Sequence, residues 1–221
     1  MRIVLRLLAL VGLVLGAGAC SHGHGHHDAT VHHRFDDAEM WAKEFEDPER
    51  DAWQKPDEVI AALNLPPQGR VADIGSATGY FTVRIARSHP DAVVYGADVE
   101  PSMTDYLRAR AAREGLANVR AITAAPDDPK LPEPVDVVLV VDTFHHIDAR
   151  PDYFRRLREH TLRPGGRVAI VDFKKGAPRG PPDSHKLAPE QVIAEMAEAG
   201  FELADRPDLL PYQYLLIFRA R

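Results

Sequence analysis

One stretch of the 221-residue sequence decides the fold: Arg70-Val71-Ala72-Asp73-Ile74-Gly75-Ser76-Ala77-Thr78-Gly79-Tyr80. It begins with a short segment, 70–74, in which Val71, Ala72 and Ile74 are apolar, and the glycine after it makes this segment a buried-strand candidate. A helical pattern follows over 80–88, so the intervening residues form a turn between a strand and a helix. Only the small residues Ser76, Ala77 and Thr78 stand between Gly75 and Gly79. The backbone of this turn can therefore approach a ligand where a Cβ would collide.

The alternation of strand and helix continues along the chain from this turn. Strands are predicted at 93–97, 119–123, 135–141, 167–171, 201–204 and 214–218, and helices at 101–115, 150–162 and 189–199. Residues 135–141 are mostly β-branched, which is typical of a central parallel strand buried on both faces. The pattern predicts an α/β fold with a Rossmann-like, doubly wound and mostly parallel sheet.

Two helical segments are predicted before the first strand. Pro56 begins a helix that ends before Pro66, and residues 35–55 contain a short helix and an ordered lead-in. Aromatic residues occur at Phe35, Trp41, Phe45 and Trp53. We interpret them as core packing rather than ligand contacts, because aromatic residues at helical spacing usually face the core.

Composition excludes several classes of protein. The chain has 33 acidic and 27 basic residues and a net charge of -6, whereas a nucleic-acid binder needs a basic face. Its 45% hydrophobic residues suit one globular domain with a full core. Cys20 is the single cysteine, so an intrachain disulfide and a zinc site built on cysteines are excluded.

The first nineteen residues are predicted to be a signal peptide. Arg2 and Arg6 precede an apolar run over 7–19. This run is too short for a transmembrane helix, which needs about 20 apolar residues. The segment Ala17-Gly18-Ala19-Cys20 resembles a bacterial lipobox, although alanine stands where leucine is usual. This resemblance implies a lipidated Cys20 and a membrane-anchored lipoprotein on the periplasmic face. An uncleaved anchor and a plain secretory signal remain alternatives.

Residues 20–33 form a His-rich tether ahead of the globular domain, which is predicted over 34–221. Its histidines are His22, His24, His26, His27, His32 and His33. Such a tract either chelates a transition metal or serves as a flexible, solvated linker, and both interpretations stay open.

The carboxyl ends of parallel strands are where such sheets bind ligands. Asp98 follows the second strand, nineteen residues after Gly79, and its carboxylate can accept hydrogen bonds from the cis hydroxyls of a ribose. A dinucleotide fingerprint is absent, because Ala77 and Tyr80 occupy its second and third glycine positions. A P-loop is absent as well. The pattern favours an adenosine ligand that carries a carboxylate, held near the N-terminus of the following helix.

Four motifs in order resemble those of the class I S-adenosylmethionine-dependent methyltransferases, especially the methyltransferase type 11 branch that includes ubiquinone/menaquinone methyltransferases. They are Val71 to Gly79; Gly96-Ala97-Asp98; Val135-Asp136-Val137-Val138 with Asp142-Thr143-Phe144-His145-His146; and Leu162 to Arg167. The resemblance implies seven strands, of which the last is antiparallel, and S-adenosylmethionine as cofactor. The residues it implies for cofactor binding are Asp73, Gly75, Ser76, Ala77, Gly79, Asp98, Val99 and Asp127.

The sequence departs from the family at two positions. The central glycine of the first turn is Ala77, which adds one methyl group to it. The acidic residue usual near the adenine amino group falls on Ala124-Ala125-Pro126, so Asp127 or Asp128 is expected to replace it from a shifted loop.

Methyl transfer is an in-line displacement in which the protein aligns the nucleophile and, where needed, removes a proton. Asp142, His145 and His146 follow the fourth strand and are the candidate catalytic residues, with His145 or His146 as a general base or substrate-orienting group. A purely structural role of the histidine pair at a helix end is the alternative. Asp172, His185, Tyr212 and Gln213 are candidates for the acceptor pocket. We predict no metal site, because adjacent histidines rarely converge on one ion without a third fixed ligand.

Two functions follow from these expectations. The first is S-adenosylmethionine-dependent methyl transfer to a small or lipophilic acceptor by a membrane-anchored protein. The second is an exported lipoprotein that uses the same fold as a non-catalytic ligand- or metal-binding module. The second is kept because S-adenosylmethionine is made in the cytoplasm, whereas the signal predicts export. The sequence indicates neither the acceptor nor the oligomeric state.

Overall fold

A seven-stranded sheet organises residues 37–221, the part of the chain that the computed structural model describes. The strands are β1 (Arg70–Ile74), β2 (Val93–Asp98), β3 (Val119–Thr123), β4 (Val135–Val141), β5 (Leu162–Phe173), β6 (Phe201–Asp205) and β7 (Gln213–Ala220). Their order across the sheet is β3-β2-β1-β4-β5-β7-β6. The first five strands are parallel, and β7 is antiparallel to both β5 and β6. The predicted fold class is confirmed.

Helices precede the sheet and connect its strands. They are α1 (Ala38–Phe45), α2 (Glu49–Gln54), α3 (Pro56–Leu63), α4 (Tyr80–Ser88), α5 (Pro101–Arg113), α6 (Arg150–His160) and α7 (Pro189–Glu198), with a 3-10 turn at Phe144–His146. No helix within residues 37–221 combines the length and apolar character needed to cross a bilayer.

The two faces of the sheet bury separate clusters of side chains. Along β4, Val137 and Leu139 pack with α3, α4 and α5, whereas Val138 and Val140 pack with α6 and α7. Successive side chains of a strand point to opposite faces, so a strand covered on both sides must be apolar throughout. The unbroken apolar sequence of β4 from Val137 to Val141 therefore fits its place at the centre of the sheet.

The largest differences from the sequence-based element boundaries lie in 37–55 and in 150–173, where β5 spans Leu162–Phe173 instead of the predicted 167–171. Residues 37–55 form two helices, α1 and α2, instead of one short helix with a lead-in. The helix predicted over 150–162 ends at His160, because Leu162 already pairs with Val135 and starts β5. The predictions for residues 1–19 and 20–33, with the lipidation of Cys20, lie outside the described residues.

Candidate functional site

A cavity of about 1120 Å³ opens at the carboxyl edge of β1, β2 and β4. Its walls are the turn after β1, the end of β2, the residues after β4, the helices α1 and α2, and the loop 178–185. Sites for small molecules usually measure about 300–1000 Å³. The cavity therefore has room for a nucleoside-sized ligand and a second small molecule.

The turn after β1 is held in a left-handed conformation at three positions. Gly75 and Gly79 have φ angles of 76° and 94°, and Ala77 has a φ of 45°. A Cβ at position 75 would lie 2.1 Å from Oγ1 of Thr143, which follows β4, so this position has space for glycine only. Ala77 adopts a conformation that costs an L-residue about 1–2 kcal/mol. The departure from the family's central glycine is thus accommodated at the expense of local strain.

Asp98 connects the end of β2 to this turn. Its Oδ2 accepts a hydrogen bond from the Ala77 N–H at 2.8 Å, and its Oδ1 accepts one from the Glu100 N–H at 3.0 Å. Burial raises the pKa of Asp98, while the backbone hydrogen bonds to Glu100 and Ala77 lower it. A carboxylate has about four lone-pair sites. The Asp98 carboxylate therefore keeps lone-pair capacity for the ribose hydroxyls that the sequence predicts as its partners.

Two further polar groups of the first motif lie on the cavity wall. Asp73 is 3% exposed, and its Oδ2 accepts a hydrogen bond from Thr82 Oγ1 at 2.7 Å. Burial is the main cause that raises the pKa of Asp73 to about 6. The Oγ of Ser76 is buried and has no hydrogen-bond partner among residues 37–221. A buried hydroxyl without a partner is costly unless a ligand satisfies it. These groups fit S-adenosylmethionine, which brings ribose hydroxyls and a charged amino-acid end.

The wall expected to face an adenine is apolar. Val99, which is 51% exposed, lines the cavity together with Ala124, Ala125 and Pro126. Asp127 and Asp128 are exposed and lie outside the cavity lining. This geometry gives no support to the adenine contact predicted for Asp127. The shape of the wall suits the faces of a planar base.

A histidine–carboxylate pair occupies the opposite end of the cavity. His145 lines the cavity, and its Nδ1 lies 2.9 Å and 3.0 Å from the two carboxylate oxygens of Asp172. Burial lowers the pKa of His145, but the hydrogen bond and the charge of Asp172 raise it further, and the net shift is upward. His146 also lines the cavity, with its ring centroid 4.2 Å from that of His145. Asp172 is fully buried behind His145 and is absent from the cavity lining.

Asp142 is fixed between two glutamines beside this pair. Its Oδ1 accepts from Gln213 Nε2 at 2.5 Å and its Oδ2 from Gln54 Nε2 at 3.1 Å. Its φ is 53°, and burial followed by the charge of Asp172 raises its pKa to about 6. Gln213 therefore supports Asp142 from outside the cavity lining, whereas His185 is part of that lining. Tyr212 lies outside it, with its ring centroid 6.3 Å from that of Trp53.

The helices α1 and α2 form a wall that the sequence did not identify. Trp41, Phe45, Arg50 and Trp53 line the cavity, so the interpretation of these aromatic residues as core packing alone is wrong. Helical spacing shows that the aromatic residues share a buried face but does not show what covers that face. A signal pointing to a site is the basic residue Arg50, which stands between Phe45 and Trp53 in an acidic segment.

Polar contacts attach this wall to the turn after β1. Oε1 of Glu46 accepts hydrogen bonds from Thr78 Oγ1 at 2.6 Å and from Arg110 Nη1 at 2.5 Å. The phenol of Tyr80 donates a hydrogen bond to Asp51. Residues 37–221 contain no group of three or more metal-ligating side chains close enough to hold an ion.

Comparison with known proteins gives matches to methyltransferases. Residues 72–168 match the family model of a methyltransferase domain. The chain is 30% identical over 122 residues to 27-O-demethylrifamycin SV methyltransferase of Amycolatopsis mediterranei, covering 53% of this chain and 43% of that protein. It is 31% identical over 121 residues to the ubiquinone/menaquinone biosynthesis C-methyltransferase of Burkholderia mallei, covering 53% and 48%. The chain thus spans less than half the length of these curated relatives.

Solved structures resemble the whole described fold. A SAM-dependent methyltransferase from Aquifex aeolicus has a TM-score of 0.75 at 24% identity, covering 82% of this chain and 97% of that one. An O-methyltransferase from neocarzinostatin biosynthesis, in complex with S-adenosyl-L-homocysteine and 1,4-dihydroxy-2-naphthoic acid, has a TM-score of 0.69 at 16% identity, covering 84% and 59%. Residues 72–168 are therefore similar to a methyltransferase domain, and the described residues share the Rossmann-like fold of the Aquifex aeolicus SAM-dependent methyltransferase.

Proposed function

We propose that this protein transfers a methyl group from S-adenosylmethionine to a small-molecule acceptor. The observation that carries the proposal is a single cavity with the Asp98 turn at one end and the His145–Asp172 pair at the other. The methyltransferase domain match over residues 72–168 supports the same reaction. When bound, S-adenosylmethionine supplies a methyl group activated by its sulfonium.

The residues of the chain divide the remaining work. Asp98 would accept hydrogen bonds from the ribose, and Asp73 and Ser76 would contact the amino-acid end. His145 is suited to take a proton from the acceptor, because it lines the cavity and the Asp172 carboxylate at its Nδ1 stabilises the charged imidazole. Removal of that proton makes an acceptor hydroxyl a stronger nucleophile for in-line displacement.

The acceptor end of the cavity has a largely aromatic wall. Trp53 and Phe173 line this end with their ring centroids 5.8 Å apart, whereas Trp41 and Phe45, which stack at 5.5 Å, line the cavity from α1. Such walls bury planar or lipophilic molecules and exclude water from the reacting atoms. A small lipophilic acceptor with an ionisable hydroxyl fits this wall and the histidine together.

Binding calorimetry on the full chain tests the proposal. S-adenosylhomocysteine and S-adenosylmethionine should both bind with micromolar dissociation constants, and an extract treated with methyl-labelled cofactor should yield a labelled small molecule. If neither ligand binds at millimolar concentration, the proposed methyltransferase activity is rejected. That result would leave the non-catalytic ligand-binding protein as the remaining hypothesis.

We further propose that the protein is anchored in a membrane through a lipidated Cys20, with the domain on the periplasmic face. The support is the basic start, the apolar run over 7–19 and the small residues before the cysteine. Cys20→Ala should release the protein from the membrane fraction, whereas the neighbouring Ser21→Ala should not. Retention of the Cys20→Ala variant in membranes would favour an uncleaved helix instead.

A further inference from the structure

We propose that Arg50 binds the carboxylate of the amino-acid end of the cofactor. This inference rests on the proposed function and adds to it a residue that neither the motifs nor the predicted site contains. Arg50 lies on α2, 25 positions before the glycine turn, and its side chain lines the cavity while only 15% of it is exposed. A guanidinium so largely removed from water needs an anionic or hydrogen-bonding partner.

The hydrogen bonds of Arg50 leave one nitrogen unused. Its Nε donates to Oε1 of Gln54, and its Nη1 donates to the Phe45 carbonyl at 2.8 Å. The carboxylate oxygen paired with Nη2, Oδ2 of Asp142, is 3.9 Å away, which is beyond hydrogen-bond distance. Within residues 37–221, Nη2 therefore has no hydrogen-bond acceptor, although it belongs to a cavity-lining side chain.

The orientation of the guanidinium is fixed by Tyr80. Cζ of Arg50 lies 4.0 Å from the centroid of the Tyr80 ring. Tyr80 is the first residue of α4 and directly follows Gly79. The cation–π contact and the two hydrogen bonds hold the group rigidly. A ligand carboxylate placed there would also lie near the N-terminus of α4, whose dipole favours negative charge.

Asp73 supplies the complementary charge. Burial raises the pKa of Asp73, and the charge of Arg50 lowers it, so the two groups lie within electrostatic reach of each other. An α-amino acid carries an ammonium and a carboxylate on one carbon. A cationic and an anionic side chain on the same cavity wall match that pair of charges.

Asp142 alone does not account for Arg50. Both oxygens of Asp142 already accept hydrogen bonds from glutamines, and the 3.9 Å separation leaves the ion pair without a hydrogen bond. A bound carboxylate would complete the hydrogen bonding of Nη2 and offset the cost of keeping the guanidinium away from water.

The test compares two ligands that differ in the amino-acid end. The full chain and its Arg50→Gln variant are titrated with S-adenosylhomocysteine and with 5′-methylthioadenosine, which lacks the amino and carboxyl groups. Arg50→Gln should weaken the binding of S-adenosylhomocysteine by about tenfold or more, which is the loss typical of a charged hydrogen bond. It should change the affinity for 5′-methylthioadenosine by less than about twofold. Arg84→Gln is the matched control, because Arg84 stacks on the same Tyr80 ring at 3.8 Å but pairs with Asp51.

Each other outcome has one meaning. Equal weakening of both ligands would show that Arg50 only supports α2, and unchanged binding of S-adenosylhomocysteine would also overturn the proposal. If the variant does not fold, the wild-type chain is titrated with S-adenosylmethionine and its decarboxylated analogue, and equal affinities would reject the carboxylate contact. A wild-type chain that binds none of these adenosine ligands would instead overturn the proposed function.

Discussion

Oδ2 of Asp98 accepts a hydrogen bond from the backbone N–H of Ala77 at 2.8 Å. The two residues are 21 positions apart and belong to different strand ends, so one carboxylate both faces the cavity and fixes the turn that forms its floor. Ligand binding and local structure are therefore coupled at Asp98.

Asp98→Ala should lower both stability and cofactor affinity. The change removes two hydrogen bonds between a carboxylate and backbone N–H groups, each worth about 1.5–3 kcal/mol. We expect a loss of about 2 kcal/mol in the free energy of unfolding, less than the sum of the two bonds because the desolvation cost of the buried carboxylate is removed as well. Binding of S-adenosylhomocysteine should be at least about 100-fold weaker. Urea titration and calorimetry measure the two effects. Asp91→Ala, an exposed carboxylate before β2, should alter neither, and full affinity in Asp98→Ala would refute the ribose contact.

Ala77→Gly should stabilise the protein. The φ of 45° strains alanine but not glycine, and part of this gain is offset by the greater freedom of glycine in the unfolded chain. The expected net gain is up to about 1 kcal/mol in the free energy of unfolding, with cofactor affinity equal or higher. Ala72→Gly, in the buried strand β1, should lose about 1 kcal/mol because it removes a packed methyl group. A destabilised Ala77→Gly variant would show that the turn is not strained.

The fold was predictable because its signals are local. Every parallel strand except β3 is followed along the chain by a helix, and the cofactor turn lies within one such strand–helix unit, 70–88. Gly75, Asp98 and His145 each stand at the end of a strand, so their convergence follows from strand direction alone.

The rest of the site depends on contacts between distant segments. Gln54 and Asp142 are 88 positions apart and Gln213 and Asp142 are 71 apart, and both pairs meet only when the chain is folded. The register of α2 against the sheet edge decides that Arg50 faces the cavity. No local pattern encodes that register, which is why the sequence predicts only core packing for the aromatic residues of this segment.

Asp73 should make stability depend on pH. Its folded-state pKa of about 6 exceeds the ordinary value of 3.8, so the folded state keeps this proton over a range where the unfolded chain has lost it. The free energy of unfolding should fall as the pH rises from about 4 to about 6, by about 3 kcal/mol from this group, and then level off.

Two variants check this assignment. Asp73→Asn should remove the contribution of Asp73 to the fall in the free energy of unfolding between about pH 4 and about pH 6. Thr82→Val should move the decrease to higher pH, because the hydrogen bond from Thr82 lowers the pKa of Asp73. Denaturant titrations at a series of pH values provide the data. A pH profile of Asp73→Asn parallel to that of the wild type would assign the dependence to another group, such as Asp142.

The His145–Asp172 pair gives a prediction that needs no acceptor. Burial lowers the pKa of His145, and Asp172 contributes the largest opposing effect through a hydrogen bond and its charge. Asp172→Asn should therefore lower the pKa of His145 below its ordinary value, because the desolvation remains while the countercharge is lost. In wild type the imidazole should stay charged to a higher pH than usual, so proton acceptance by His145 is favoured only above that raised pKa.

A histidine NMR titration measures the pKa of His145 in the wild type and in Asp172→Asn. Asp136→Asn is the control, since that carboxylate pairs with Arg163 at the far end of β4 and should leave His145 unchanged. Identical titrations of His145 in wild type and Asp172→Asn would mean that the pair does not tune the histidine, and the assignment of His145 as the base would lose its physical support.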